Sequence, residues 1–314
     1  MSLLAVEGLA LSAGGVPVVR GIGFSLARGG TLGIVGESGC GKSVTALSLI
    51  GLQPPAFRLS GSIRLDGREL VGLDEAALCA LRGNRMAMVF QEPMTALNPV
   101  RRVGRQIAEP LVKHRGLGAA AARAEALRLM DKVRLPDAGR RIDAYPHELS
   151  GGQRQRVMIA IALACAPDLL IADEPTTALD VTVQAAILDL IADLVADDGM
   201  ALLLISHDLG VIAETCAEVA VMYAGEIVES GPAEAIFGRP AHPYTRALFA
   251  ALPDPGRRGR SLYAIPGTVP EPRHYPAGCA FAARCALAGP DCAAPPPATA
   301  LSAGHVARCW RPGA

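Results

Sequence analysis

The sequence predicts an α/β fold that carries a helical insertion and ends in a separate, irregular extension. Short apolar runs recur between turn residues, segments with helical spacing separate several of these runs, and the composition changes in the C-terminal quarter. Apolar runs of this length, bounded by turn residues, indicate buried strands. The predicted strands cover residues 31–35, 63–65, 86–90, 169–172 and 201–205.

A helical insertion interrupts the strand-forming segments. Ala124, Leu127 and Met130 recur at helical spacing within residues 119–133, and we place the insertion at about residues 92–150. After Gly231 the pattern changes, and from Pro253 onward Pro, Gly and Arg accumulate without clear periodicity. We therefore predict a domain over residues 1–230 and an extension over residues 231–314.

The charge balance argues against a nucleic-acid partner. The 314 residues include 30 Lys and Arg against 30 Asp and Glu, so the chain lacks the net basic charge that phosphate backbones attract. The longest uncharged stretches fall short of the ~18 apolar residues that span a bilayer. Residues 1–11 have no basic start and contain Glu7, unlike a secretory signal. We expect a cytoplasmic protein without a transmembrane helix.

A glycine-rich loop follows the first predicted strand and precedes a predicted helix over residues 44–50. In such a loop, glycines let backbone N–H groups converge on phosphate oxygens at a helix N-terminus. Lys42 supplies a cation for the β- and γ-phosphates, and the Ser43 hydroxyl can ligate Mg²⁺. The order of residue types is that of a phosphate-binding P-loop, which kinases, GTPases and transport ATPases share. The loop comprises Gly36, Glu37, Ser38, Gly39, Cys40, Gly41, Lys42 and Ser43.

An acidic pair follows the predicted strand over residues 169–172. Asp173 suits a Mg²⁺ site, and Glu174 could orient and deprotonate the water that attacks the γ-phosphate. Taken alone, Asp-Glu-Pro fits a helix start equally well. Whether the pair is catalytic or only starts a helix depends on the motifs that accompany it.

Four further motifs occur in a fixed order around the acidic pair. With them, residues 1–230 resemble an ABC ATPase. The resemblance implies a P-loop NTPase core with an antiparallel β subdomain and a helical subdomain. It also implies that two such domains pair head to tail, with each ATP held between the P-loop of one and the signature segment of the other. The motifs are Gln91, the signature Leu149, Ser150, Gly151, Gly152 and Gln153, the D-loop Ala178, Leu179 and Asp180, and His207.

The resemblance assigns a role to each motif. Gln91 would sense Mg²⁺ or the attacking water and relay the nucleotide state, Asp180 would link the two ATP sites, and His207 would bind the γ-phosphate. Residues 150–153 would contact the ATP of the partner subunit. In agreement with that implied role, Ser150, Gly151 and Gly152 precede a helix predicted to begin near Gln153 and can form a second anion cradle. One position departs from the family pattern: Ala13 stands where an aromatic residue usually stacks on adenine.

Local sequence is similar to one branch of the family, the oligopeptide and dipeptide importers, and specifically to the first of their two ATPase subunits. The similarity lies in residues 36–48, 88–99 and 145–148. It implies a sister ATPase in a heterodimer, two membrane permease subunits and, indirectly, a substrate-binding protein. The chain would then lie peripherally at the cytoplasmic face of the membrane. The resemblance does not decide which substrate is transported, since related importers carry nickel or glutathione.

Permease docking is implied for residues 92–115. The arginines in this segment could contact the permease or form a solvated face, and the sequence favours neither. They are Arg101, Arg102 and Arg105.

Four cysteines crowd the last 36 residues in the spacing C-x5-C-x6-C-x16-C. Four thiolates suit either a tetrahedral zinc ion or a [4Fe–4S] cluster, and unligated thiols are a third option. Residues 242–245, 265–267, 278–281 and 284–285 also match the peptide-importer tail, and that resemblance implies the iron–sulfur cluster. The four residues are Cys279, Cys285, Cys292 and Cys309.

Two other functions compete with transport. A soluble ABC protein of DNA repair or translation usually has a tandem second domain or a long coiled coil, and neither fits in 314 residues. A nucleic-acid-binding metal module in the tail would need more basic residues than Arg257, Arg258 and Arg260. We therefore expect an ATP-hydrolysing subunit of an importer.

Overall fold

The computed structural model describes residues 2–176, 179–252 and 263–313. Ala178 of the D-loop and the three arginines Arg257, Arg258 and Arg260 lie outside the described residues. Two compact units make up the chain, and each contains segments that are distant in sequence. The first unit comprises residues 1–4, 26–30 and 65–205, and the second comprises residues 5–25, 31–64 and 206–314.

Twelve strands are present in the described part of the chain. They are β1 (Ser2–Ala13), β2 (Val16–Ala27), β3 (Thr31–Val35), β4 (Phe57–Leu65), β5 (Arg68–Glu69), β6 (Met86–Val89), β7 (Leu169–Asp173), β8 (Ala201–Ile205), β9 (Glu218–Tyr223), β10 (Glu226–Pro232), β11 (Ala298–Ser302) and β12 (His305–Arg308).

Eleven α-helices lie within the described residues, and short 3-10 turns supplement them. The helices are α1 (Lys42–Leu49), α2 (Glu75–Leu81), α3 (Pro93–Ala96), α4 (Val103–Arg115), α5 (Ala119–Lys132), α6 (Ala138–Arg141), α7 (Gly151–Leu163), α8 (Val181–Asp198), α9 (Leu209–Thr215), α10 (Ala233–Gly238) and α11 (Pro243–Ala250). None of the described helices has the length and apolar character needed to cross a membrane.

The first unit contains three parallel strands in the order β6-β7-β8. Met88 pairs with Ile171, and Ile171 with Leu203, and every residue of the three strands is buried. Strands that are covered on both faces are expected to be continuous apolar runs, which is why the sequence predicts them well. Helices α4, α5 and α7 pack against one another in the same unit. The predicted helix over residues 119–133 is thereby confirmed as α5.

The second unit holds the remaining long strands. Strand β3 runs parallel to β9, which pairs with β10 in antiparallel fashion. A two-residue turn at Gly14 and Gly15 joins β1 to β2, and β4 pairs with the other side of β1, as the expected antiparallel subdomain requires. Strand β12 pairs with β10 and β11 with β12, so the extension adds two strands to the edge of this sheet. The extension is therefore more regular than the sequence predicts.

Candidate nucleotide-binding site

The P-loop connects β3 to α1 in the second unit. At Gly36 an added Cβ atom would lie 2.1 Å from the carbonyl oxygen of Met222, so the close approach of two backbones excludes any side chain there. Gly41 occupies the N-cap position of α1 with a φ of 105°, in the left-handed region that glycine adopts without strain. The loop thus turns tightly into the helix N-terminus, where backbone N–H groups can bind phosphate.

Lys42 lies inside this loop and is 5% exposed. Its Nζ donates hydrogen bonds to the carbonyl oxygens of Gly36, at 2.7 Å, and Glu37, at 3.1 Å. These two bonds hold the ammonium group at the centre of the loop, where the phosphates of a nucleotide would lie. Cys40 is fully buried beneath the loop, and burial raises the pKa of its thiol, so it packs as a neutral side chain.

The acidic pair and Gln91 lie together in the first unit. Asp173 is the buried last residue of β7, and Gln91 follows β6, the neighbouring parallel strand. The Nε2 of Gln91 donates a hydrogen bond of 3.1 Å to the Oε2 of Glu174. Glu174 adopts a φ of 44°, and its N–H donates to the carbonyl of Ile205 at 2.9 Å. The carboxyl ends of neighbouring parallel strands therefore bring these polar side chains to one edge of the sheet.

The signature segment forms the N-terminus of α7. Ser150 is the N-cap: its Oγ accepts from the N–H of Gln153 at 3.4 Å, and the Gln153 Oε1 accepts from the N–H of Ser150 at 3.0 Å. This reciprocal capping box is typical of a stable helix start. The helix therefore begins at Gly151, and its first turn carries the positive end of the helix dipole.

The signature glycines lie against the segment that follows the acidic pair. A Cβ on Gly152 would lie 2.6 Å from Cγ1 of Val183, and one on Gly151 would lie 3.2 Å from Cδ2 of Leu179. Asp180 caps α8 by accepting a hydrogen bond of 3.0 Å from the N–H of Val183. Asp180 is exposed, so its capping bond leaves its second oxygen facing the surface.

His207 and Ala13 belong to the second unit. His207 is exposed just before α9, between Ser206 and the N-cap Asp208. The Ser206 N–H donates to the carbonyl of Ile34, which ties the start of this segment to β3 beside the P-loop. Ala13 is the half-buried last residue of β1.

The C-terminal extension contacts the P-loop through residues that sequence reasoning missed. Arg284 forms a two-bond ion pair with the carboxylate of Glu37, at 2.7 Å and 2.9 Å. The Tyr244 hydroxyl accepts a hydrogen bond of 2.9 Å from the N–H of Glu37. No sequence signal indicates that Tyr244 and Arg284 contact the P-loop, because both residues lie more than 200 positions from it.

The four cysteines of the extension line one small cavity. Burial raises the pKa of the Cys279 thiol, and the neighbouring thiols of Cys292, Cys309 and Cys285 raise it further. Among the described residues, however, no three His, Cys, Asp or Glu side chains have the arrangement of a site for a metal ion. The described part of the structure therefore gives no support to the predicted [4Fe–4S] cluster or to the zinc alternative.

The arginines of the implied docking segment are exposed. Arg101 pairs with Glu109 at 2.6 Å, and Arg102 pairs with Asp143 at 3.3 Å. Exposed ion pairs of this kind contribute little to stability and leave the side chains at the surface.

Comparisons with known proteins agree with these motifs. Residues 19–177 match the family model described as ABC transporter, and residues 228–292 match that of the oligopeptide/dipeptide transporter C-terminal region. A peptide import ATP-binding protein of Brucella abortus is 52% identical over 297 residues, which cover 94% of this chain and 90% of the relative. The oligopeptide transport ATP-binding protein OppD of Salmonella typhimurium is 48% identical over 299 residues, covering 95% and 89%.

A solved structure shares the fold. The dimeric ATP-binding cassette MJ0796, in a post-hydrolysis state bound to ADP and Pi, is similar with a TM-score of 0.66 at 27% identity, over 73% of this chain and 98% of that chain. The ABC transporter model covers half of the present chain, and the relatives match nearly all of it. The chain therefore belongs to the ABC transporter family, as an ATPase whose C-terminal region is of the oligopeptide/dipeptide transporter type.

Proposed function

We propose that this chain is the ATP-hydrolysing subunit that powers a membrane importer of peptides. The observation that carries the proposal is the Glu174 carboxylate, held after β7 in a left-handed backbone conformation and hydrogen-bonded to Gln91. A carboxylate fixed at the carboxyl edge of parallel strands suits a base that orients and deprotonates water. The names of the relatives and the match of the C-terminal region support peptides as cargo.

The P-loop residues 36–43 would bind the phosphates of ATP. Lys42 would exchange its two carbonyl partners for β- and γ-phosphate oxygens, which is a short movement for a flexible ammonium group. His207 would contact the γ-phosphate and help to position the attacking water. The hydrogen bonds within the loop already hold Lys42 in place for its part of this binding.

A Mg²⁺ ion fits the oxygen donors available. Ser43, Gln91 and Asp173 offer a hydroxyl, an amide carbonyl and a carboxylate, which are the hard oxygen ligands that Mg²⁺ prefers. When bound, the ion neutralises phosphate charge. Asp173 is buried at the end of β7, so it is held rigidly for that task.

Two ATPase subunits would complete each site. Ser150, Gly151, Gly152 and Gln153 of one subunit would contact the ATP bound by its partner, with Asp180 at the same interface. The capped N-terminus of α7 supports this role, because a helix N-terminus attracts phosphate. We infer that the partner is a sister ATPase, since residues 44–47 resemble the first subunit of a heterodimeric pair.

The ATPase domain would span residues 1–230 and the extension residues 231–314, with the helical subdomain at about residues 92–150. Residues 92–115 within that subdomain, which include α3 and α4, would contact the permease at the cytoplasmic face of the membrane, and the permease would have two subunits. A substrate-binding protein would deliver cargo to the permease, without contact to this chain. Nothing in the proposal requires nucleic acid.

We further propose that Cys279, Cys285, Cys292 and Cys309 hold a [4Fe–4S] cluster. Four thiols around one small cavity are a suitable donor set, because four cysteine thiolates hold such a cluster. Its role there would be structural, as a cross-link of the extension.

Peptide uptake tests the function. In cells that lack this chain, the wild type should restore uptake of a labelled tripeptide, whereas Glu174→Gln should not. Restored uptake of nickel or glutathione, with no uptake of peptide, would replace peptide by the alternative cargo. Unchanged uptake with Glu174→Gln would contradict the proposed role of this carboxylate.

Metal analysis tests the cluster. Anaerobically purified protein should contain about four irons and four sulfides per chain, and Cys285→Ser combined with Cys292→Ser should lose them. One zinc ion and no iron, or no metal at all, would overturn the cluster while leaving the ATPase untouched.

A further inference from the structure

Arg284 connects the extension to the P-loop through a buried ion pair. Its Nη1 and Nη2 donate to Oε2 and Oε1 of Glu37 at 2.7 Å and 2.9 Å. The Arg284 side chain is only 4% exposed and that of Glu37 is 28% exposed, so solvent screens the pair weakly. A parallel two-bond contact between guanidinium and carboxylate fixes both the position and the orientation of the carboxylate.

The guanidinium of Arg284 is itself held in place. Its Nε donates to the carbonyl of Pro266 at 2.8 Å, and Nη1 also donates to the hydroxyl of Tyr223 at 3.3 Å. The group lies 5.7 Å from the ring centroid of Tyr223 and 5.9 Å from that of Phe281. The extension thus presents a preorganised cation to the loop.

Tyr244 provides a second link to the same residue. Its hydroxyl accepts from the N–H of Glu37, and its ring packs against Tyr223 and Phe281 at centroid distances of 4.6 Å and 5.4 Å. Tyr244 is fully buried in the first turn of α11, where His242 caps the helix. Both the backbone and the side chain of Glu37 are therefore fixed by residues of the extension.

The negative charge of Glu37 explains why its ion pair with Arg284 matters for phosphate binding. Glu37 is the second residue of a loop that binds polyphosphate, and an unpaired carboxylate there would repel the ligand and attract Lys42. Lys42 already lies 3.1 Å from the Glu37 carbonyl oxygen. With Arg284 in place the carboxylate charge is neutralised, so it competes less with phosphate for Lys42.

We propose that Arg284 is a positioning residue for ATP binding: from the C-terminal extension, and acting through Glu37, it holds the P-loop in its phosphate-binding conformation and neutralises its acidic side chain. The inference rests on the nucleotide site proposed above. It predicts that the extension tunes ATP affinity in addition to any role of its cysteines.

The test is MgATP binding to the purified full-length chain, measured with a fluorescent ATP analogue. Arg284→Met should raise the Kd for MgATP about tenfold. The Kd of Arg284→Lys should lie between those of the wild type and Arg284→Met, because lysine keeps the charge but loses the two-bond geometry. Arg311→Met is the matched control: Arg311 belongs to the same extension and donates to the carbonyl of Leu287 and to Asp291, away from the loop. It should bind MgATP as the wild type does.

A double-mutant cycle tests whether Arg284 affects ATP binding through Glu37. In a Glu37→Gln background, Arg284→Met should cause no further loss of affinity, whereas independent effects would add. In the complete transporter, Arg284→Met should raise KM for ATP and leave kcat within about twofold. If Arg284→Met does not fold, Glu37→Gln alone should weaken MgATP binding.

Four outcomes separate the two proposals. Wild-type affinity in either Arg284→Met or Glu37→Gln would overturn the positioning role while the nucleotide site stands, and so would additive losses in the double variant. Equal weakening by Arg311→Met would also overturn it, since any disturbance of the extension would then suffice. A wild-type chain that does not bind MgATP at all would instead overturn the nucleotide site.

Discussion

Glu174 adopts a left-handed backbone conformation that is uncommon for residues other than glycine. Its φ of 44° costs free energy of the order of 1–3 kcal/mol and persists because the surroundings fix it, here through the hydrogen bond from its N–H to Ile205. Strained residues of this kind cluster at functional sites. At the residue scale, this conformation turns the side chain out of the strand direction of β7 and toward Gln91.

His242 makes stability depend on pH. It is buried, its Nδ1 accepts from the N–H of Tyr244, and burial lowers its pKa from 6.5 to about 4, although nearby Glu229 opposes the shift. Between these values the unfolded chain binds more protons than the folded chain. The free energy of unfolding should therefore fall as the pH falls from about 6.5 toward 4, by about 3 kcal/mol in total.

Urea denaturation at pH 7.5 and pH 5 measures this loss. His242→Asn keeps an N-cap acceptor without a titrating group, so it should lose less stability between these pH values than the wild type. An identical pH dependence in wild type and variant would contradict the assignment.

At the scale of elements, the contact between the signature helix and α8 depends on Gly152. A Cβ atom would lie 2.6 Å from Val183, so Gly152→Ala should displace the start of α8 and lower the free energy of unfolding by about 1–3 kcal/mol. Gly139→Ala is the matched control, because a Cβ there has no atom within 4 Å. Thermal unfolding of the two variants compares them directly. Equal stability would show that α8 adapts without cost.

The elements also show how far the sequence predicts the fold. The buried parallel strands β3, β7 and β8 and the helix α5 are predicted because their apolar patterns are continuous. Strands β1 and β2 are missed, because Gly8 and Gly21 have positive φ values and interrupt the alternation that predicts a strand. Strand β11 is mostly exposed and β12 has only four residues, so neither produces a recognisable apolar pattern.

The candidate site divides in the same way. The P-loop, the acidic pair and the signature follow from sequence because each is a contiguous motif next to a strand or helix. The ion pair between Glu37 and Arg284 cannot be predicted from the sequence, because the two residues are 247 positions apart and neither belongs to a repeating pattern. The structure likewise adds that Asp180 caps α8, a role that the sequence analysis does not assign to it.

At the scale of the whole molecule, one chain carries both a P-loop and a signature segment, and we propose that a sister ATPase completes each site. Glu174→Gln in MgATP should slow hydrolysis and so stabilise the ATP-bound dimer. Light scattering after size exclusion should show this chain alone as a monomer at micromolar concentration, and a dimer after addition of the sister subunit. A stable dimer of this chain alone would contradict the heterodimer.

The central claim is that the chain binds ATP through Lys42 and hydrolyses it with Glu174. The most direct measurement compares MgATP binding and hydrolysis in the purified transporter with wild type, Lys42→Ala and Glu174→Gln. We predict that Glu174→Gln binds MgATP normally while its hydrolysis falls at least about 100-fold, and that Lys42→Ala loses binding. Hydrolysis by Glu174→Gln at the wild-type rate, or normal binding by Lys42→Ala, would contradict the account.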